Sequence, residues 1–196
     1  MLRRQNNPQT SVTAKTSDLP VTLAEAKEHL RILHDDLDNE VQAALDAAVE
    51  WCESTTGRAL RVSHTLTQKY RSWPCSPVQF DRQPVSAISG VTYYDAAGDA
   101  QTLATSNYRL QSSTKAAGYL EFDDSFSAPS LDERDDAVTI TYTAGYASLA
   151  AVPTEAKYAI RLKLAELFGN LDPRMIDANR RACDDLLGSI QWGAYR

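Results

Sequence analysis

The residues able to move protons are few and scattered. His29, His34 and His64 are the only imidazoles, and none sits in a recognisable motif beside a nucleophile, as base-assisted covalent catalysis requires. His29 and His34 stand five positions apart, which puts them on different helical faces rather than at the i, i+4 spacing of a helical zinc pair. Asp36-Leu37-Asp38-Asn39-Glu40 has the opening of a calcium loop, but the Gly needed for its sharp turn is missing. A helical pattern begins at once there, so capping is the better account. The densest carboxylate group is Asp123, Asp124, Asp132, Glu133, Asp135 and Asp136. Paired carboxylates can hydrolyse glycosides or hold a hard cation, although such a cluster is more often a solvated loop between strands. Trp73 with Pro74 and Pro77 could line an aromatic binding edge or simply pack its own loop. No G-x-G-x-x-G, P-loop, nucleophile-elbow or H-E-x-x-H pattern occurs. These patterns imply no catalytic residue, no metal ligand and no cofactor.

Those side chains must be carried on elements, and the pattern changes three times along the chain. Residues 1–17 are polar, lack periodicity and contain Pro8, so they read as a flexible N-terminal arm, basic through Arg3, Arg4 and Lys15. Thr22-Leu23-Ala24-Glu25 has capping-box form and opens a helix with Leu23, Ala26, Leu30 and Leu33 on one face. Asp35-Asp36-Leu37-Asp38 interrupts it and precedes a second helix from about Asn39 to Thr55. Val41, Ala44, Leu45, Ala48, Val49 and Cys52 make its apolar stripe, and Gly57 suits the left-handed end. From Leu60 the period becomes two, with strand candidates also at 89–94, 108–111, 119–122 and 137–143. Helical spacing returns after Gly145. Pro153 suits a first helical position, and the stripe runs Ala156, Ile160, Leu164, Leu167, Phe168 and Leu171. Asp172-Pro173 then opens a shorter helix with Ile176, Asn179, Ala182, Cys183, Leu186 and Leu187 inward and Gly188 at its end.

The simplest way to bury four apolar stripes is one bundle. The expected fold is therefore α+β: a four-helix bundle of residues 18–59 and 152–188 with a central antiparallel β insertion over 60–151, and a C-terminal tail at 189–196. That tail, Ile190 to Arg196, ends in residue types enriched at interface hot spots, Trp192, Tyr195 and Arg196. Folding back onto the bundle is an equal alternative for it.

Charge narrows the function. The chain holds 26 acidic against 20 basic residues, a formal net charge of -6, whereas binding through phosphate contacts favours a basic surface. Three widely spaced cysteines, Cys52, Cys75 and Cys183, form no C-x-x-C pair and suit a reducing compartment. Neither a signal-peptide pattern nor an apolar run of membrane-spanning length is present, so no membrane association is expected. Two other classes stay open: a carbohydrate- or cation-dependent enzyme built on the acidic loop, and a DNA-binding module built on the basic arm.

The order of short motifs resembles a known family. Leu19-Pro20-Val21-Thr22-Leu23-Ala24-Glu25-Ala26-Lys27-Glu28-His29-Leu30, then Asp35-Asp36, then Val49-Glu50-Trp51-Cys52-Glu53-Ser54-Thr55-Thr56-Gly57-Arg58 is similar to head-tail connector (adaptor) proteins of tailed phages and phage-like particles. The Thr-Gly-Arg helix ending is the most telling piece. The resemblance extends to Pro84-Val85, to Tyr142-Thr143-Ala144-Gly145-Tyr146 and to Val152-Pro153. It implies a structural ring subunit, not an enzyme. Such subunits form a ring, commonly a dodecamer, beneath the portal, extend the DNA channel and offer a platform for the tail. The implied partners are the portal protein, neighbouring copies of the chain, a downstream tail-completion or stopper protein, and DNA passing without sequence-specific binding. The implied location is the neck of a virion or phage-like particle, assembled in the cytoplasm of a bacterial host. In this reading Ile190, Trp192, Tyr195 and Arg196 contact the portal.

Overall fold

The computed structural model describes residues 8–112, 118–169 and 172–191. The chain divides into two compact units, Met1–Thr16 with Ser63–Gly145 and Ser17–Val62 with Tyr146–Arg196.

The first unit is β. Its elements are β1 (Gln9–Lys15), β2 (His64–Tyr70), β3 (Val78–Gln79), β4 (Val85–Tyr94), β5 (Ala100–Thr102), β6 (Tyr108–Gln111), β7 (Tyr119–Phe122) and β8 (Val138–Ala144). They form a five-stranded sheet in the order β1-β2-β8-β4-β5 and a three-stranded sheet β3-β7-β6, with antiparallel pairing throughout. Period-two burial is clearest in the paired β2 and β8. His64, Leu66, Gln68 and Tyr70 are buried on one face, opposite Ala144, Tyr142, Ile140 and Val138. Phe80, just beyond β3, meets Tyr142 with ring centroids 4.4 Å apart. Trp73 gathers Tyr93, Phe122 and Phe126 around itself at 5.1 to 5.9 Å.

Two features depart from the sequence reading. Residues 9–15, expected to belong to a flexible arm, are the edge strand β1, all seven side chains exposed. A strand that buries no side chain leaves no hydrophobic period to find. Its order comes from the backbone ladder to β2 and from polar contacts, Thr10 to Asp81 and Ser11 to Thr67. The alternation beginning at Leu60 becomes strand only at His64. The buried Glu53 carboxylate accepts the amides of Leu60 and Arg61 at 2.7 and 3.3 Å, so these two donors are taken by a side chain rather than by a strand ladder.

The second unit is helical: α1 (Leu23–Leu30), α2 (Asp38–Thr56), α3 (Thr154–Leu167) and α4 (Ile176–Gly188). The capping box at α1 is formed in both halves, the Glu25 amide donating to Thr22 Oγ1 at 3.2 Å and the Thr22 amide to Glu25 Oε2 at 2.8 Å. Pro153 is the cap residue before α3 rather than its first turn. Asp172 accepts the Arg174 amide at 2.9 Å and starts a 3₁₀ turn, Pro173–Met175, that leads into α4. Gly188 is the last residue of α4, as expected, and the helix closes through Ser189 in right-handed geometry. Val41, Leu45, Ala48, Val49, Ala156, Ile160, Leu164 and Leu187 form the buried core.

The expected four-helix bundle is not the fold; the described residues are α+β, with two antiparallel sheets and four helices of unequal length. Eight residues give α1 a length of about 12 Å and nineteen give α2 about 28 Å. No common axis can be lined equally by such a set. The core is instead completed by residues outside helices: Val21, Leu60, Tyr146 and Val152. Apolar periodicity reports which face of a helix is buried, not what lies against it.

Candidate assembly surfaces

The acidic loop resolves into turns and ion pairs. Asp123 Oδ1 accepts the Ser125 amide and hydroxyl at 3.0 and 2.6 Å, and these bonds hold its carboxyl below the ordinary range. Asp132 accepts the Glu133 amide at 2.8 Å. Asp135 pairs with Arg71 at 3.4 Å. Asp136 is bound by Arg134, with Lys69 at 3.8 Å, and the hydrogen bond from Arg134 holds its carboxyl low. Arg134 also lies over the Tyr94 ring, 3.6 Å from its centroid. A general acid needs a carboxyl pushed up toward neutrality; Asp123 and Asp136 are pushed down. Trp73 donates its indole N–H to the Pro129 carbonyl at 2.9 Å, so it packs its own loop.

The other candidates for chemistry also go to structure. His64 is buried on the inner face of β2, His29 is exposed on α1 with its imidazole pKa lowered first by partial desolvation and then by the Arg161 charge, and His34 is exposed beside Asp36. Within the calcium-like run Asp36–Glu40, the Asp38 carboxylate binds Lys27, which also binds the neighbouring Asp35. Burial pushes the Cys52 thiol up to about 12 and the Cys183 thiol up to about 11, which makes them packing groups rather than nucleophiles. Among the described residues no cluster of His, Cys, Asp and Glu could hold a metal, and no helix is long and apolar enough to cross a membrane.

The open backbone edges of the β unit lie at its outer strands. β1 and β5 are the two edge strands of the larger sheet, with every side chain exposed. An open strand edge is a template for pairing with another chain. Lys15 of the expected basic arm closes β1, while Arg3 and Arg4 lie outside the described residues. Of the four tail residues proposed as contacts, Trp192, Tyr195 and Arg196 also lie outside them. Ile190 is half-buried against the helical core, and its amide donates to the Leu187 carbonyl at 3.0 Å.

Arg58, legible in the sequence only as part of the Thr-Gly-Arg ending, makes contacts that pattern reading did not reach. α2 ends at Thr56, and Gly57 turns the chain through left-handed geometry at φ 68° with its amide on the Glu53 carbonyl. Thr56 Oγ1 donates to the Cys52 carbonyl at 2.7 Å and accepts the Arg58 amide at 3.2 Å. The turn leaves the Arg58 guanidinium able to donate through Nη1 to Tyr146 Oη at 3.2 Å and through Nε to the Ile190 carbonyl. Gln191 closes the same join, its Nε2 donating to the Thr55 carbonyl at 3.3 Å. The root of the C-terminal tail is thus tied to the end of α2.

Comparison with known proteins places this fold. No family model matches the chain, and no curated protein matches it. Among solved structures, a chain of the virion of a native gene transfer agent (GTA) particle superposes with a TM-score of 0.76 at 22% identity, covering 93% of this chain and 95% of that one. A chain of the neck of an empty GTA particle, computed with C6 symmetry, gives 0.74 at 19% identity over 96% of this chain and 100% of that one. A chain of the neck of a native GTA particle, computed with C12 symmetry, gives 0.70 at 20% identity over the same shares. The chain shares their fold over 93 to 96% of its length.

Proposed function

We propose that this chain is a structural head-to-tail connector, a subunit that joins neighbouring copies in a ring on the portal, extends the DNA channel and receives the tail. The observation that carries the reading is the fold match, which runs nearly the whole length of both chains and recurs in particle necks computed with C6 and C12 symmetry. The ordered motifs ending in Thr56-Gly57-Arg58 point the same way independently.

In this role the work is assembly. A closed ring needs heterologous interfaces, one face of each subunit complementing a different face of the next; exposed edge strands and the outer faces of the helices are available for that. The excess of acidic residues suits a conduit, because a lumen rich in carboxylates lets DNA slide where a basic one would hold it. The C-terminal tail is the portal contact, and the opposite end of the ring meets a tail-completion or stopper protein. The place of action is the neck of a phage or phage-like particle, after assembly in the bacterial cytoplasm.

The test is mass in solution, by native mass spectrometry or light scattering, alone and with purified portal protein. A closed ring of about twelve copies on the portal is the expected product. A chain that neither joins the portal nor forms a ring overturns the proposal. Removing residues 192–196 tests the tail separately, and unchanged portal binding would exclude it as the contact.

A further inference from the structure

We infer that Arg58 is a positioning residue that fixes where the C-terminal tail leaves the helical unit and so prepares it for docking; this rests on the tail being the portal contact. The join spans 132 positions of sequence, from Arg58 to the Ile190 carbonyl. It has three independent parts: the Arg58 fork on Tyr146 Oη and the Ile190 carbonyl, the Gln191 amide on the Thr55 carbonyl, and the Ile190 side chain against the core.

The chemistry at each position is specific. A guanidinium offers several N–H donors in one rigid plane, so it reaches two acceptors at once, whereas a lysine ammonium is a single flexible point charge. The left-handed turn at Gly57 brings that plane beside the end of α2, where the partial negative charge of the last carbonyls favours a cation. Tyr146 is buried, so its hydroxyl is a fixed acceptor rather than a mobile one. Leu45, Ile160, Leu164 and Leu187 are fully buried and take no part in these hydrogen bonds. The product of the join is a defined exit point. A segment whose root is already ordered loses less conformational freedom on binding, and this raises affinity without adding a contact.

The experiment uses the full chain and purified portal protein, with variants Arg58→Ala, Arg58→Lys and Gln191→Ala and a chain ending at Gln191. Affinity for the portal is measured alongside thermal unfolding and amide hydrogen exchange. Arg58→Ala and Arg58→Lys should each weaken portal binding about tenfold or more, which is about 1.4 kcal/mol, and Gln191→Ala by a smaller factor in the same direction. Exchange should quicken at 189–191 while the amides of α2 and α3 keep their protection. If Arg58→Lys and Gln191→Ala unfold at the wild-type temperature and bind the portal as the wild type does, the inference fails. These two variants decide the matter even where Arg58→Ala is too unstable to use. The shortened chain separates the two layers: if it still binds the portal, the tail reading itself is wrong, and if it does not while the point variants bind normally, only the role of Arg58 is lost.

Discussion

Replacing Gln68 by Met should stabilise the β unit. Gln68 lies on the inner face of β2, between Thr10 of β1 and Ile140 of β8 in the ladder, with its side chain fully buried. Neither its carboxamide oxygen nor its nitrogen has a hydrogen-bond partner among the described residues. Burying an amide without compensation costs about 1 to 3 kcal/mol on protein mutational scales. Met has the same unbranched length, adapts to irregular gaps and carries no strong polar atom. The swap nearly conserves volume, so repacking should cost less than about 1.5 kcal/mol. The net expectation is a gain of about 1 to 2 kcal/mol, read as a higher urea midpoint at unchanged m-value. For a chain of this size each 1 kcal/mol moves the melting temperature by about 2 to 4 °C. Gln68→Glu is the opposing control, because a buried unpaired carboxylate should destabilise strongly. A Gln68→Met midpoint below the wild-type value would refute the argument, since it would mean that the carboxamide is satisfied in solution by a partner that Met cannot replace.

Three further outcomes follow from single contacts. Thr22→Ala removes the cap on the Glu25 amide and should cost about 1 kcal/mol in chemical unfolding of the helical unit. Trp73→Phe keeps an aromatic ring but loses the indole bond to Pro129, so limited proteolysis should cut the 123–136 loop faster, with a stability loss of about 1 kcal/mol. Glu166 gives a pH signature. Burial raises its carboxyl pKa, but the hydrogen bonds from Arg180 and Lys163, with their charges, outweigh this and leave it below the ordinary 4.5. A depressed folded pKa contributes stability that is complete above the unfolded value and disappears as pH falls through the folded one. The stability difference between wild type and Glu166→Gln should therefore be largest near neutrality and shrink below about pH 4.5; a constant difference down to pH 3 would count against it.

What the sequence made legible was local. The capping box at Thr22 and Glu25, the left-handed Gly57 and the alternation of Val138, Ile140 and Tyr142 each depend on neighbours within a few positions, and each is present in the fold. The expected helix from about Asn39 to Thr55 is α2, Asp38–Thr56. β1, β3 and β5 were invisible for different reasons. β1 buries no side chain, while β3 and β5 have two and three residues, too few to show a period. The bundle does not follow because four stripes fix four buried faces but leave their partners open, and here Tyr146, Leu60 and Val152, from outside the helices, supply part of the contact.

Arg58 shows the limit from the other side. Thr56-Gly57-Arg58 stood out as a motif, yet nothing local says why an arginine should follow the glycine. Its partners lie 88 and 132 positions away, at Tyr146 and Ile190. The glycine is explained by backbone geometry alone, because only there does the chain adopt a positive φ at the end of α2. The arginine is explained by what the turn then brings within reach. A lysine would preserve the charge and the helix-end attraction but not the two-acceptor fork, so the residue type itself separates a helix cap from a latch. Arg58→Lys is therefore the substitution on which the two accounts disagree: a cap tolerates it, and a latch on the tail does not.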